Sequence, residues 1–571
     1  MMRQAPLYPS HRPVVMATRA AVASSHYLAS VAGQRILDQG GNVVDAGVAM
    51  GLCINVLQPH MTSLGGVAPI ILHLAGEERT VVIDGLGVWP RAASIDLFRE
   101  RYGDLPEGIM RSVVPAAADA WLTALEQFGT LPFAQVAAPA IELAERGFPM
   151  YGSLHSDLTG DTAGFRRWPS TAAVLLPGDR VPALGERVIQ ADLASTLRRM
   201  VEAEDRGGIP AARDLFYRGD IARQMAEFAQ AQGGLLTYDD LASFHVSVEE
   251  PVLSRYRDVT VATCGPWCQG PVINQTLNIL NHFEPATMDH NSADYVHLLA
   301  EALKLAFADR ERYYGDPRFV EVPLDGLLSE DYARVRAADI DMARAWPEMP
   351  PPGDPRGFGA SSARGTTPVD TAPGPWPYDT AYLCVADSEG NLFSATPSDS
   401  ARETPMVPGL GLVISPRGTQ SWLDPQHPSS LQPGKRPRLT PNPALAFRGG
   451  RPWLTFGTPG GDMQCQAMVQ LLVNLIDFDM DPQQAIEAPR FSTESFPNSF
   501  WPHTYRPGIL TVENRIGDEV RAELAGRGHR VAVWPAYARA ASSLCAILLD
   551  PETGTLMAGA DPRRENYALG W

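Results

Sequence analysis

Apolar positions crowd together early in the chain and thin out later. A helix is predicted from a cap at Ser24 or Ser25 through Leu37, closed by Gly40 and Gly41. The next segment, Val43 to Leu57, is small and apolar almost all round, the pattern of a helix buried on every side. A glycine loop, Thr62-Ser-Leu-Gly-Gly66, precedes an apolar run from Ala68 to Leu74. Helical spacing returns over Ala116 to Phe128, Phe133 to Glu145 and Ala293 to Arg310, with β-rich runs such as Val259 to Ala262 between them.

The texture changes between Pro347 and Pro377. Nine prolines fall there, which excludes helix and central strand and predicts an exposed, mobile segment over 346–379. Strand signals follow at once. Thr380 to Asp387 and Asn391 to Thr396 form a hairpin turning at Ser388-Glu389-Gly390. A second hairpin joins Ala444–Phe447 to Trp453–Phe456 through Gly449-Gly450. Helices are expected at Met463 to Ile476 and Ile516 to Leu524, and strands at Val531 to Trp534 and Leu544 to Leu549 finish the chain. The C-terminal third is expected to be a packed α+β unit, strands backed by helices.

Composition narrows the chemistry. With 571 residues, 45% hydrophobic and 20% charged, the sequence is that of a folded globular protein. Its formal charge of −18 disfavours nucleic acid and an anionic membrane as partners. No apolar run reaches the ~18 residues of a membrane span. Met1 to Val15 lacks the apolar core of a signal peptide, so a cytoplasmic location is expected. The six cysteines are sparse and sit mostly in apolar runs, as buried free thiols would. Lysine occurs only at Lys304 and Lys435, which almost removes Schiff-base catalysis. Nearly all positive charge is therefore arginine, which suits carboxylate recognition.

Common catalytic and cofactor motifs are missing: no phosphate loop, no HExxH, no CxxC pair and no GxSxG elbow, so neither metal nor cofactor is expected. One arrangement stands out. A proline-rich stretch ends at Asp379 and a strand begins with Thr380. Cleavage between them would give Thr380 a free α-amine of pKa roughly 8 beside its hydroxyl, a built-in general base for a weak nucleophile. Many strands begin with threonine, so position alone does not select this one.

A set of motifs in fixed order does. Asp379-Thr-Ala-Tyr-Leu-Cys-Val-Ala-Asp-Ser-Glu-Gly-Asn391 resembles the start of the small subunit in the γ-glutamyltranspeptidase family. Gly40-Gly-Asn-Val-Val-Asp-Ala46, Pro59-His-Met-Thr-Ser-Leu-Gly-Gly66, Asp84-Gly85, Gly434-Lys-Arg-Pro437, Gly457-Thr-Pro-Gly-Gly461, Ala488-Pro-Arg490 and Gly559-Ala-Asp-Pro-Arg563 fit the same family. The resemblance implies an αββα-sandwich N-terminal-nucleophile hydrolase of α+β class. It implies a precursor cut into a large subunit, 1–379, and a small catalytic subunit, 380–571, that stay together; two such heterodimers could pair. Thr380 matches the nucleophile, Ser398 the hydroxyl that hydrogen-bonds it, and Gly460 with Gly461 the oxyanion-hole pair.

The departures fall on substrate binding. Ala381 replaces a frequent second threonine, and Ser400 a substrate-binding asparagine. Leu86 stands where glutamyl enzymes carry an arginine for the donor's α-carboxylate. Arg417 and Gln420 align with the Gln and Asp of the lid-side segment, and Thr440 lies near the family's serine pair. A γ-glutamyl donor therefore loses both its carboxylate and its ammonium partners, each charged hydrogen bond contributing ~1.5–3 kcal/mol. The expected activity is hydrolysis of a small carboxylate-bearing amide through an acyl-enzyme, with Ser400, Arg417, Gln420 and Thr440 as the substrate contacts. The alternatives are a true γ-glutamyl transferase or glutathione hydrolase, and an unprocessed inactive homologue that acts as a binding protein.

Overall fold

Strands from both ends of the chain send alternate side chains into different apolar layers, and this decides the architecture. In the computed structural model, which describes residues 10–358 and 379–571, two seven-stranded antiparallel sheets lie face to face. One runs in the order Val15–Ala17, Leu556–Ala560, Cys545–Leu549, Arg451–Gly457, Ala444–Arg448, Val259–Thr263 and Val252–Tyr256. The other runs Tyr567–Gly570, Ala20–Ser24, Leu383–Asp387, Leu392–Ala395, Ile70–Leu74, Arg79–Ile83 and Val248–Glu249. Cys384 and Ala386 point between the sheets and meet Cys545 and Ile547, while Leu383 and Val385 point to the helices outside. The inner strands, such as Leu383–Asp387 and Leu392–Ala395, are thus buried on both faces, which the two-residue side-chain period allows only if both faces are apolar.

Helices close the sandwich. Val43–Leu57, with every residue buried, packs on the second sheet beside Tyr27–Asp38 and Phe133–Arg146. Its start is fixed by a capping box: the Asn42 side chain accepts from Val44 and Asp45 N–H, and Asp45 accepts from Asn42 N–H. Asp45 also takes the Thr130 N–H at 3.0 Å. On the other face Gly270–Leu280 and Met463–Ile476 cover the first sheet, and Ala293–Tyr313 packs on Gly270–Leu280. The result is the expected four-layer αββα order.

Several expectations are corrected. The first helix begins at Tyr27 and is capped by His26, whose ring accepts from Leu28 N–H at 3.2 Å. The Ser24 and Ser25 hydroxyls are already committed, to the His26 carbonyl at 2.9 Å and the Tyr382 carbonyl at 3.1 Å. The strands of the C-terminal third divide between both sheets and pair with strands from the N-terminal part. Two further strands, Leu556–Ala560 and Tyr567–Gly570, follow Cys545–Leu549. Their sequences, LMAGA and YALG, carry no β-branched residue, so no strand signal marks them. The beginning of the proline-rich segment is docked. Met349 N–H donates to the Tyr505 hydroxyl at 2.8 Å, Gly353 N–H donates to Asp309 at 2.9 Å, and Pro352 and Pro355 are buried. The expected mobility of 359–378 lies outside the described residues.

Candidate active site

Thr380 is set where the second sheet begins. The regular strand starts only at Leu383, but Thr380 forms an isolated antiparallel bridge with Ser398, and Ser398 forms another with Val67. Ser398 N–H donates to the Val67 carbonyl at 2.9 Å, and Ala381 N–H to the Pro397 carbonyl at 3.0 Å. The chain at Gly66 passes so close that a Cβ there would lie 2.3 Å from the Ser398 carbonyl oxygen, so only glycine fits. The glycine loop is therefore the floor beneath Ser398. Both hydroxyl residues are buried, Thr380 at 1% and Ser398 at 0% exposure.

The Ser398 hydroxyl is the hub of the site. It lies 2.9 Å from Thr380 Oγ1 and donates to the Asp379 carbonyl oxygen. It accepts from Arg417 Nη2 at 2.7 Å. A hydroxyl has one proton and two acceptor positions. With its proton on the Asp379 carbonyl, Ser398 can only accept from Thr380, which leaves the Thr380 oxygen lone pairs free. The same hydroxyl thus holds the candidate nucleophile and polarises the carbonyl just before it.

Arg417 is buried completely and reached by two carboxylates. Its Nε donates to Asp399 and its Nη2 to Asp379. Asp399 is held on its other side by the Ser415 hydroxyl. It adopts φ 101°, an uncommon conformation for a residue with a side chain, which persists where surrounding bonds over-determine it. Among the described residues, Arg417 Nη1 and Asp379 Oδ1 have no hydrogen-bond partner. Burial pushes the Asp379 carboxyl well above the usual carboxylate range. Arg417 pulls it down, while Glu403 and Asp399 push it up. Burial also raises the Glu403 carboxyl, against Arg417 and Arg111. Three acids therefore bear on one guanidinium, and one of them belongs to the residue preceding Thr380.

The remaining expected residues are distributed less simply. Gln420 and Thr440 bond to each other, Nε2 donating to Thr440 Oγ1 at 2.8 Å and Oε1 accepting from Thr440 N–H at 3.3 Å. The Ser400 hydroxyl accepts from Arg402 N–H at 3.1 Å, within its own turn. Leu86 is buried between the sheets, beside Val67 and Trp267, so an apolar core residue fills that position. Gly460 and Gly461, with φ of 120° and 58°, turn the chain into the Met463–Ile476 helix. No described residue accepts from either glycine's N–H. Phe500 joins this turn to the nucleophile side: it would meet a Cβ on Gly461 at 3.4 Å, and Arg417 lies over its ring at 5.3 Å. Gln269 donates to both the Gly461 carbonyl at 2.9 Å and the Thr440 carbonyl at 3.0 Å, tying the segments together.

Sequence reasoning missed Asp399, the Asp379 side chain, Glu403 and Gln269. Asp399 had one visible signal, an acid between two serines in a chain whose cations are almost all arginine. Gln269 had none, because its role depends on contacts far along the chain. Other motif residues turn out to be framework. Arg436 pairs with Asp84 and Glu249 at 2.8 Å each and with Asp316 at 3.1 Å. Burial raises the Asp84 carboxyl to about 6, against the pull of Arg436. His297, Glu301 and His529 converge closely enough for a cation. Lys304 already donates to Glu301 at 2.7 Å and the two imidazoles bond each other at 2.9 Å, so the Glu301 charge and the facing imidazole nitrogens are already engaged.

A four-layer sandwich with a hydroxyl residue just ahead of a central strand, beside a polarised peptide carbonyl, defines an N-terminal-nucleophile hydrolase, an enzyme class that hydrolyses or transfers amide acyl groups. The comparisons agree. The sequence model of gamma-glutamyltranspeptidase matches residues 29–571. The glutathione hydrolase-like YwrD proenzyme of Bacillus subtilis (strain 168) is 33% identical over 559 residues, covering 97% of this chain and 99% of that protein. The acylase ACY 1 proenzyme of Pseudomonas sp. (strain SE83) is 34% identical over 559 residues, covering 95% and 92%. The crystal structure of cephalosporin acylase from Bacillus halodurans superposes with a TM-score of 0.85 at 30% identity, over 100% of this chain and 99% of that one. The chain belongs to the gamma-glutamyltranspeptidase family. Among the described residues, no helix is long and apolar enough to cross a membrane.

Proposed function

We propose that the protein is a precursor that cuts itself between Asp379 and Thr380, and that the product hydrolyses a small amide whose acyl part carries a carboxylate. The observation that carries this reading is the Ser398 hydroxyl, 2.9 Å from Thr380 Oγ1 and bonded to the Asp379 carbonyl. Thr380 Oγ1 attacks the Asp379 carbonyl carbon. The C–N bond breaks, the nitrogen takes the hydroxyl proton, and an ester joins Asp379 to the Thr380 oxygen. Water then cleaves the ester, leaving a carboxylic acid on Asp379 and both a hydroxyl and an α-amine on Thr380.

In the mature enzyme that α-amine, with pKa roughly 8, serves as base for the Thr380 hydroxyl. Attack on a substrate amide gives an acyl-enzyme and releases the amine, and water completes the cycle. The free N–H groups of Gly460 and Gly461 suit the negative oxygen of each tetrahedral intermediate. Arg417 is the carboxylate partner. Its charge, with the neutral Gln420 and Leu86, disfavours a donor that presents an ammonium group, which sets this chain apart from a glutamyl enzyme. Six free cysteines, all buried, fit a reducing compartment such as the cytoplasm.

A denaturing gel tests the reading. Wild-type protein is expected to give two bands, the smaller beginning Thr-Ala-Tyr-Leu, and Thr380→Ala is expected to stay whole. Cleavage of Thr380→Ala at this bond would remove Thr380 from the role.

A further inference from the structure

The residue before the scissile bond is bound by its side chain as well as by its carbonyl. Asp379 offers its carbonyl oxygen to Ser398 and its carboxylate to Arg417. Two carbons, Cα and Cβ, separate those groups. In covalent terms Asp379 is the acyl part of a four-carbon dicarboxylic acid monoamide, with the Thr380 nitrogen as its amine.

The partner of its carboxylate stays behind after cleavage. Arg417 is fixed independently of Asp379, by Asp399 on Nε. Its Nη1 has no hydrogen-bond partner among the described residues, and its Nη2 still reaches Ser398. When the Asp379–Thr380 bond is broken and the new C-terminus leaves, a buried guanidinium faces an emptied carboxylate position. Asp399 still pairs with Nε, but the terminal nitrogens have lost their carboxylate in a buried site, so a replacement anion is favoured there.

We infer that Asp379 is a built-in copy of the acyl donor, and that the mature enzyme prefers monoamides of four-carbon dicarboxylic acids, with Arg417 reading the distal carboxylate. This rests on Thr380 being the nucleophile in both the cleavage and the turnover. Each carbon removed from the donor draws its carboxylate back by about 1.5 Å, beyond hydrogen-bond reach of Arg417. Each carbon added forces the chain to buckle or displaces the reacting carbonyl.

The test uses the processed wild-type protein and p-nitroanilides of oxalic, malonic, succinic, glutaric and adipic acids, with butyryl-p-nitroanilide as the uncharged equivalent of the succinyl compound. The succinyl compound is expected to have the highest kcat/KM, by about tenfold or more over its malonyl and glutaryl neighbours and over butyryl. Arg417→Met is expected to lower kcat/KM on the succinyl compound about tenfold or more beyond whatever it costs on butyryl-p-nitroanilide, so that the ratio between the two substrates collapses. A second measurement needs no variant: succinate is expected to inhibit wild-type hydrolysis of the butyryl compound more strongly than malonate or glutarate. A maximum at another chain length, or equal inhibition by the three acids, would overturn the inference while leaving the nucleophile in place. No self-cleavage and no hydrolysis of any anilide would instead remove the nucleophile reading, and this inference with it.

Discussion

Two buried arginine clusters in this protein look alike and are built to opposite ends. Around Arg563, every donor is used: Nε and Nη2 reach Glu513 at 2.8 and 2.9 Å, Nη1 reaches Asp561 at 3.1 Å, and the Ile486 and Ala488 carbonyls take the rest. Arg490 completes the set through Asp561 and the Ala541 carbonyl. All these residues lie on one side of the Asp379–Thr380 bond. Around Arg417, one donor nitrogen and two acceptor oxygens, Asp379 Oδ1 and Glu403 Oε2, are left over among the described residues, and the two carboxylates it holds lie on opposite sides of that bond. A closed cluster locks segments together. An open one, able to shed one of its acids, is suited to exchange that acid for a ligand.

The sharpest way to break this comparison is to remove the closed arginine. Arg563→Met leaves Glu513 and Asp561 buried with fewer partners, and deleting one member of a buried charge network costs ~3–5 kcal/mol. The change should appear as a lower denaturation midpoint, whether or not the chain has been cut. A loss below about 1 kcal/mol would mean that the cluster is not structural in the sense argued.

Next in size is the effect of blocking the open donors. Gly461→Val places a branched side chain at φ 58° against Phe500 and crowds the two N–H groups. Losing one oxyanion donor lowers kcat by ~10²–10³. Steady-state kinetics on any accepted anilide measures this, with a cooperative melt as the check on folding. Unchanged kcat in a folded variant would send the oxyanion elsewhere.

The comparison also explains what was legible beforehand. The buried Val43–Leu57 helix, the Gly449-Gly450 hairpin and the strand after Thr380 are encoded locally, by apolar runs and turn residues, and the structure has them within a few residues. The strand Tyr567–Gly570 pairs with Ala20–Ser24, hundreds of residues away, and His26 becomes the cap because the Ser25 hydroxyl is taken by the Tyr382 carbonyl, equally distant, so local pattern is silent on both. Motifs give residues but not their job. Asp84, Arg436, Arg490, Asp561 and Arg563 all lie in stretches that resemble the family, and all belong to the framework. Arg417, which lies in none of those stretches, sits beside Ser398. Its pairing with Asp379 was invisible in sequence, because nothing local distinguishes an aspartate that ends a proline-rich stretch from one that is bound by its side chain.

The smallest and most specific effect is the coupling between Arg417 and Asp379. It is best measured in a Thr380→Ala background, where the bond stays intact and both partners are retained. There Arg417→Met strands Asp379 and Asp399 without their counter-charge. Asp379→Asn alone is expected to be the milder single change, since Arg417 keeps its Asp399 partner. Combined, the two substitutions should cost less than the sum of their separate costs, because the amide removes one of the charges that Arg417→Met exposes. Contacting residues of this kind couple by ~0.5–3 kcal/mol. The matching cycle on Arg563→Met with Asp561→Asn should recover less, since Asp561 also serves Arg490 and the Leu544 N–H, and its amide would disturb both. Denaturation of the four variants in each cycle gives the two coupling energies directly. If Arg417 and Asp379 prove additive, the open cluster holds its acid by shape and not by charge, and Arg417 would have no stronger claim on a substrate carboxylate than any other buried base.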